Sequence, residues 1–201
     1  MRALVVYCHP SADSFTAAVR GIILDKLEGT GAEVSLVDLY EEGFEPVLSP
    51  SEWTGYLNGL PEGSQLTPHC QAVRQADTVI FVYPTWWYGL PAILKGWLDR
   101  VLLPDVAFRL SGDGQISPAL QHIRRIGVFT TCGATWAVTR FVGSPGRRTL
   151  LRGFRLLCAR GARTVFCAHY AMDRSTAASR ARHLQRVARA MDRLIGWRER
   201  A

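Results

Sequence analysis

Apolar residues along the chain follow two periods that take turns. Residues 3–8 and 79–82 are unbroken apolar runs rich in β-branched side chains, the pattern of strands buried on both faces of a parallel sheet. Val34–Leu39, Ile123–Thr131 and Arg163–His169 read as three further strands. Between the runs the apolar positions recur at helical spacing, as in Val19, Ile22, Ile23 and Leu27, in Leu94, Leu98, Val101 and Leu102, and in Leu184, Val187, Met191 and Leu194. Helices are therefore predicted after Thr16, over Cys70–Ala76, from Pro91 to Leu103, from Pro145 to about Cys158, and over Ser175–Trp197.

Two connections depart from the alternation. Residues 41–68 hold Pro46, Pro50, Pro61, Pro68 and four glycines, too long and too broken for a plain link, so they read as a functional excursion with a short helix near Ser51–Tyr56. Its Trp53 and Tyr56 are either ligand contacts or packing. Residues 104–115 form a turn-rich loop or small hairpin with Gly112-Asp113-Gly114 at its tip. The whole of 1–201 is expected to be one α/β domain, a doubly wound five-stranded parallel sheet between two helix layers. With strand order 2-1-3-4-5 the carboxyl ends of strands 1, 3 and 4 meet in one crevice, where ligands of open α/β sheets bind.

The chemistry-bearing residues lie at those three ends. The first strand leads into His9-Pro10-Ser11-Ala12-Asp13-Ser14-Phe15-Thr16, whose small polar residues suit helix capping and, with the free N–H groups and dipole of a helix start, an anion site. Neither G-x-G-x-x-G nor G-K-[ST] occurs there, so a dinucleotide fingerprint and a P-loop are unsupported. The third strand is expected to stop at Pro84 and to carry Thr85, Trp86, Trp87 and Tyr88 on a loop that cannot turn every ring inward. The fourth ends in Thr130-Thr131-Cys132-Gly133, hydroxyls and a glycine suited to close ligand approach. Residues 134–143 show no clear period and are expected to lie over the site. Phosphate on the first turn, a flat ring against the aromatic loop and polar ring edges at Thr130 and Thr131 describe a flavin nucleotide.

Composition narrows the class. Apolar residues at 48% and aromatics at 10% fit a globular chain, and the N-terminus reaches Pro10 too soon for a signal-peptide core, so a cytoplasmic protein is expected. Five cysteines, Cys8, Cys70, Cys132, Cys158 and Cys167, show no C-x-x-C and suggest neither disulfides nor a metal site. Charge is segregated: residues 1–121 hold 7 Lys+Arg against 14 Asp+Glu, residues 122–201 hold 17 Arg against 3 acids. The arginines recur at helical spacing, which favours a solvated helix face over a nucleic-acid patch. Arg140, Arg147 and Arg148 follow the fourth strand and are candidates for a donor's 2′-phosphate.

Together, His9-Pro-x-x-x-Ser14-Phe15, Asp38-Leu39-Tyr40 with Phe44-x-Pro46, the long Tyr83-Pro84-x-Trp-Trp87-x-Gly89-x-Pro91-Ala-x-Leu-Lys95-Gly-Trp-x-Asp-Arg100-Val, and Thr130-Thr131-x-Gly133 resemble the flavodoxin-like NAD(P)H:quinone oxidoreductases of the DT-diaphorase type. The resemblance covers residues 3–133. It implies flavin phosphate on His9, Ser14, Phe15 and Thr16, an isoalloxazine framed by Pro84, Thr85, Trp86, Trp87 and Tyr88, and contacts from Thr130, Thr131, Cys132 and Gly133. FAD is favoured over FMN, NADPH or NADH would be the donor, and a quinone or similar aromatic acceptor would take both electrons in a ping-pong cycle. It also implies a homodimer, for which the helix Gly89–Leu103 is the expected contact, with neither nucleic acid nor membrane as partner. The Tyr and His that mammalian-type enzymes place beside the flavin have no counterpart in residues 134–150, which leaves Trp136 and Arg140 as substitutes. Some members of the family instead serve as regulatory subunits of potassium efflux systems.

Overall fold

The computed structural model describes residues 1–58 and 64–196. Strands β1 (Arg2–Tyr7), β2 (Glu33–Asp38), β3 (Thr78–Thr85), β6 (Arg125–Cys132) and β7 (Arg163–His169) form one sheet in the order β2-β1-β3-β6-β7, every pairing parallel. Strands β4 (Phe108–Leu110) and β5 (Ile116–Pro118) make a separate antiparallel hairpin around Gly112–Gly114. Counting only the main sheet, this is the expected 2-1-3-4-5.

Both faces of the sheet are covered, which is why its central strands read as unbroken apolar runs. Leu4, Val6, Phe81 and Val128 point to one side, against Val73 of α3 (Thr67–Gln75), Leu94 and Trp97 of α4 (Ala92–Val101), and Leu150 and Phe154. Val5, Tyr7, Ile80 and Phe129 point to the other, against Val19, Ile23 and Leu27 of α1 (Phe15–Glu28) and Val187, Met191 and Leu194 of α8 (Ala177–Ile195). The excursion after β2 contains α2 (Pro50–Gly55), closed by a capping box between Ser49 and Glu52. Pro61 lies outside the described residues. Trp53 is 70% exposed and pairs only loosely with Tyr56 (ring centroids 6.3 Å), so the described contacts make it neither core nor part of the crevice.

The excursion is anchored where two sequence motifs meet. Gly96 in α4 lies under the Pro46 backbone so closely that a Cβ there would overlap Pro46 O and stand 2.5 Å from Pro46 Cα. Arg100, one turn on, is bonded to Glu52 (2.5 Å) and to the Glu45 carbonyl, and its guanidinium lies 5.3 Å from the Phe44 ring. Glycine, proline and arginine thus fasten the loop to the helix by contact distance, charge and stacking.

Four expectations are corrected. Strand β3 does not stop at Pro84 but runs through it to Thr85. The Val82 carbonyl accepts from Cys8 N–H on the β1 side, so Pro84, two residues on, faces the same side beyond the end of β1, where no ladder needs its missing donor. Residues 136–141 form a helix, α5 (Trp136–Phe141), capped by Thr135 Oγ1 accepting from Val138 N–H (3.4 Å). The run opened by Pro145 is α6 (Pro145–Arg148), a π-helical turn (Thr149–Phe154) and α7 (Arg155–Leu157), not one α-helix. The apolar stripe of the Gly89–Leu103 segment is spent inside the molecule: Leu94, Trp97 and Val101 are fully buried, so it offers no apolar face to a second copy. Trp197 lies outside the described residues.

Candidate active site

The carboxyl ends of β1, β3 and β6 converge as expected, and hydroxyl bonds fasten them. Ser14 caps α1, its Oγ accepting from Ala17 N–H at 3.0 Å. One residue into the helix, Thr16 Oγ1 meets Thr131 Oγ1 at 3.3 Å, both side chains buried, which ties the first turn to the end of β6. Thr85 Oγ1 meets Thr130 Oγ1 at 2.8 Å, Cys132 Sγ–H donates to Thr85 Oγ1 at 3.3 Å, and the Thr130 hydroxyl reaches the Thr131 carbonyl at 3.4 Å. Either hydroxyl of the Thr85–Thr130 pair can donate to the other, with the thiol supplying a further proton to Thr85. Burial raises the Cys132 thiol above its usual range, so it stays protonated and keeps its place as a donor.

Above this floor the chain makes a reverse turn on itself. Gly89 N–H donates to the Trp86 carbonyl at 3.0 Å across Trp87 (φ 47°) and Tyr88 (φ 62°). Two successive positive φ values define a type I′-like turn, whose central sites ordinarily take Asn or Gly. Here they carry two large aromatics, a conformation costing on the order of 1–3 kcal/mol per residue. The turn holds the Trp87 side chain out of the core at 94% exposure, with Trp86 at 43%.

The turn forms one wall of a cleft of about 600 Å³ lined by Thr85, Trp86, Trp87, Tyr88, Cys132, Gly133, Ala134, Thr139 and Asp173, a volume within the range of ligand sites. Ala171 N–H donates to the Ala134 carbonyl (3.0 Å) and brings the loop after β7 over the end of β6. Asp173 follows, so near Gly133 that a Cβ there would stand 3.0 Å from its Oδ2.

Six of the expected residues, Thr85, Trp86, Trp87, Tyr88, Cys132 and Gly133, line the cleft, and Thr16, Thr130 and Thr131 lie in its hydrogen-bonded floor. Pro84 is buried in the strand and offers only backbone. His9 and Ser14 sit at the first turn, outside the cleft wall. His9 Nδ1 is held by Ser11 N–H at 3.0 Å, which leaves Nε2 without a described partner, and burial lowers the ring's pKa. The Phe15 ring turns inward onto His169 and His183 (centroids 5.3 and 5.8 Å), so its amide is what it can offer an anion. Of the arginines, Arg147 stacks on Phe166 at 5.2 Å and Arg148 packs beside Gly143; neither lines the cleft, and Arg140 is exposed on α5. Trp136, also on α5, is 60% exposed and does not line the cleft either.

Sequence reasoning missed Thr139 and Asp173. Thr139 lies in a stretch with no readable period. Asp173 had one usable signal, as the first acid after Asp113 in an arginine-rich half, just past the end of the fifth strand.

A protein family described by its flavodoxin-like fold, Flavodoxin_2, matches residues 1–191. The chain belongs to that family. This Flavodoxin_2 member is 35% identical over 128 residues to ribosyldihydronicotinamide dehydrogenase (quinone) of Homo sapiens, 55% of either chain. It is 41% identical over 136 residues to an uncharacterized NAD(P)H oxidoreductase of Haemophilus influenzae, covering 67% of this chain and 65% of that one. The chain spans about half the length of the first curated relatives it matches. The crystal structure of Smu.1420 from Streptococcus mutans UA159 superposes with a TM-score of 0.83 at 26% identity, covering 96% of this chain and all of that one.

Proposed function

We propose that this Flavodoxin_2 chain is a flavin-dependent NAD(P)H:quinone oxidoreductase. The observation that carries the reading is the cleft itself: strained aromatics on one wall, a glycine on the other, and a floor whose polar groups are already paired. The residues fit a flavin. A flat ring can lie with one face towards Trp87 and an edge towards the Cys132–Gly133 backbone, while the amides at the start of α1, with His9 Nε2 beside them, suit phosphate. FAD is the favoured form, with FMN separable by chromatography of the released cofactor. The names of the human and Haemophilus relatives support the same class of reaction.

Bound there, the flavin supplies two-electron hydride chemistry between a nicotinamide donor, NADPH or NADH, and a quinone or similar acceptor. The protein's own part is position and dryness. Thr85, Thr130 and Cys132 bond to one another, so the floor is rigid and presents few free polar atoms. Trp86, Trp87 and Tyr88 exclude water from one face, which leaves the other open to each substrate in turn. The reading includes a homodimer, for which Trp136 (60% exposed) and Phe141 (91%) on α5 supply the apolar surface that α4 does not.

The test is a flavin titration followed by absorbance and tryptophan fluorescence. Near-stoichiometric binding is expected, and Trp87→Ala should weaken it by about 1–3 kcal/mol, the scale of one large aromatic contact. Trp87→Gly separates ligand from fold. It relieves the positive φ and should raise apo-protein stability by up to about 1 kcal/mol while still losing affinity. Saturation with flavin that leaves the protein colourless, or Trp87 variants of unchanged affinity, would remove the cleft from the account.

A further inference from the structure

At the opposite edge of the sheet from the cleft, the segments entering β6 and β7 meet the end of the Pro145–Leu157 helical run. They enclose a second concavity, of about 480 Å³, lined by Pro118, Gln121, Leu151, Arg152, Arg155, Leu156, Cys158, Ala159 and Arg160. Strand β6, eight residues long, separates the two sites by roughly 25 Å. Arg152, Arg155 and Arg160 line this concavity, and among the described residues no carboxylate does. None of Arg152, Arg155 and Arg160 has a described ion-pair or hydrogen-bond partner, whereas Arg2, Arg20, Arg100 and Arg125 each have an acid. Cations near a helix end offset its dipole, and one or two would suffice for that.

Two further observations point to an occupant. Part of the lining is apolar, from Pro118, Leu151 and Ala159, and Leu156 beside the arginines is 76% exposed, an uncovered surface of little use to a solvated helix face. The wall bearing Leu151 and Arg152 is the π-helical turn Thr149–Phe154, a rare geometry that recurs at functional sites and adds one residue to the turn. Leu150 and Phe154 of this turn are buried, Phe154 edge-on to Phe81 (5.3 Å), while Leu151, Arg152 and Arg155 line the concavity.

We propose that this concavity is a second ligand site, for a small amphiphilic anion whose carboxylate, phosphate or sulfonate head is held by Arg152, Arg155 and Arg160 and whose apolar body lies on Leu151 and Leu156. Planar forks suit such heads better than point charges do. The site is independent of the flavin reading.

Calorimetric titration of the flavin-saturated protein with decanoate, below its micellar concentration, tests it. One saturable site is expected, with decanol binding far more weakly. The double variant Arg152→Gln/Arg155→Gln and the single Leu156→Glu should each weaken decanoate by about tenfold or more. Arg182→Gln/Arg189→Gln, which removes the same charge from exposed α8 positions, should leave it unchanged; melting temperatures of all variants confirm that each is folded. Absence of a saturable site, or equal losses in both double variants, overturns the proposal in favour of diffuse electrostatics. Cosedimentation with phosphatidylglycerol vesicles, lost in Arg152→Gln/Arg155→Gln while decanoate gives no heat, overturns it in favour of a lipid surface.

Discussion

Replacing Gly96 by alanine should lower the stability of the folded chain by about 3 kcal/mol, the upper end of what overpacking costs. Alanine is normally the better helix residue, by about 1 kcal/mol over glycine, so propensity alone gives the opposite sign. Contact decides it. The new methyl would fall on Pro46 O, Cα and Cβ, and backbone cannot swing aside as a side-chain tip can. Moving Pro46 would in turn strain the Arg100 bonds to Glu45 and Glu52 that anchor the excursion. For a chain of this length the expected fall in melting temperature is roughly 6–12 °C. Gly21→Ala in α1, with nothing within 4 Å of its would-be Cβ, is the matched control and should be neutral or stabilising. A Gly96→Ala protein melting with the wild type would show that the Pro46 loop does not bear on α4.

The second large effect is a loss of stability in acid centred on His183. This ring is fully buried on α8, 4.8 Å from the His169 ring, with Arg186 Nη2 2.8 Å from its Nδ1. Burial first, then the charge of Arg186 and the neighbouring His169, lower its pKa to about 4. Unfolded, the same imidazole has a pKa of about 6.5. Between those values the unfolded chain binds the proton and the folded one does not, so stability is full above about pH 6.5 and falls as pH drops towards 4. The span corresponds to roughly 3 kcal/mol from this one group. His169, lowered by burial and by Arg186 and Arg180, adds in the same direction. Urea unfolding at a series of pH values should show the decline, and His183→Leu should flatten much of it. A wild-type curve level from pH 7 to 4.5 would contradict the neutral buried ring.

What could be read from the sequence divides along physical lines. Period and burial are local properties of a run, so the five strands, their parallel arrangement and the apolar faces of α1, α4 and α8 were legible. The convergence of Thr16 with Thr131 followed from topology once the order of strands was fixed, because carboxyl ends of neighbouring parallel strands must meet. Conformation that depends on what lies alongside was not legible. Pro84 remains in β3 only because β1 has already ended, and nothing in Tyr83-Pro84-Thr85 records that. Aromatic residues at 87 and 88 give no hint of the positive φ they adopt in the turn closed by Trp86 and Gly89. Thr139 and Asp173 reach the cleft through α5 and the loop after β7; the larger apolar residues of α5, Trp136, Val138 and Phe141, are exposed, so no core-facing period marks it. The π turn at Thr149–Phe154 likewise left no mark in the sequence, since Leu150 and Phe154 are spaced as on the face of an ordinary α-helix.

The most direct test of the oxidoreductase reading is steady-state oxidation of NADPH and of NADH by flavin-loaded protein with a benzoquinone acceptor. The account predicts quinone-dependent turnover well above free flavin, saturable in both substrates, with parallel double-reciprocal lines because donor and acceptor use one cleft in turn. Tight flavin binding with oxidation no faster than that of free flavin, for either donor, would contradict it and favour a regulatory flavoprotein.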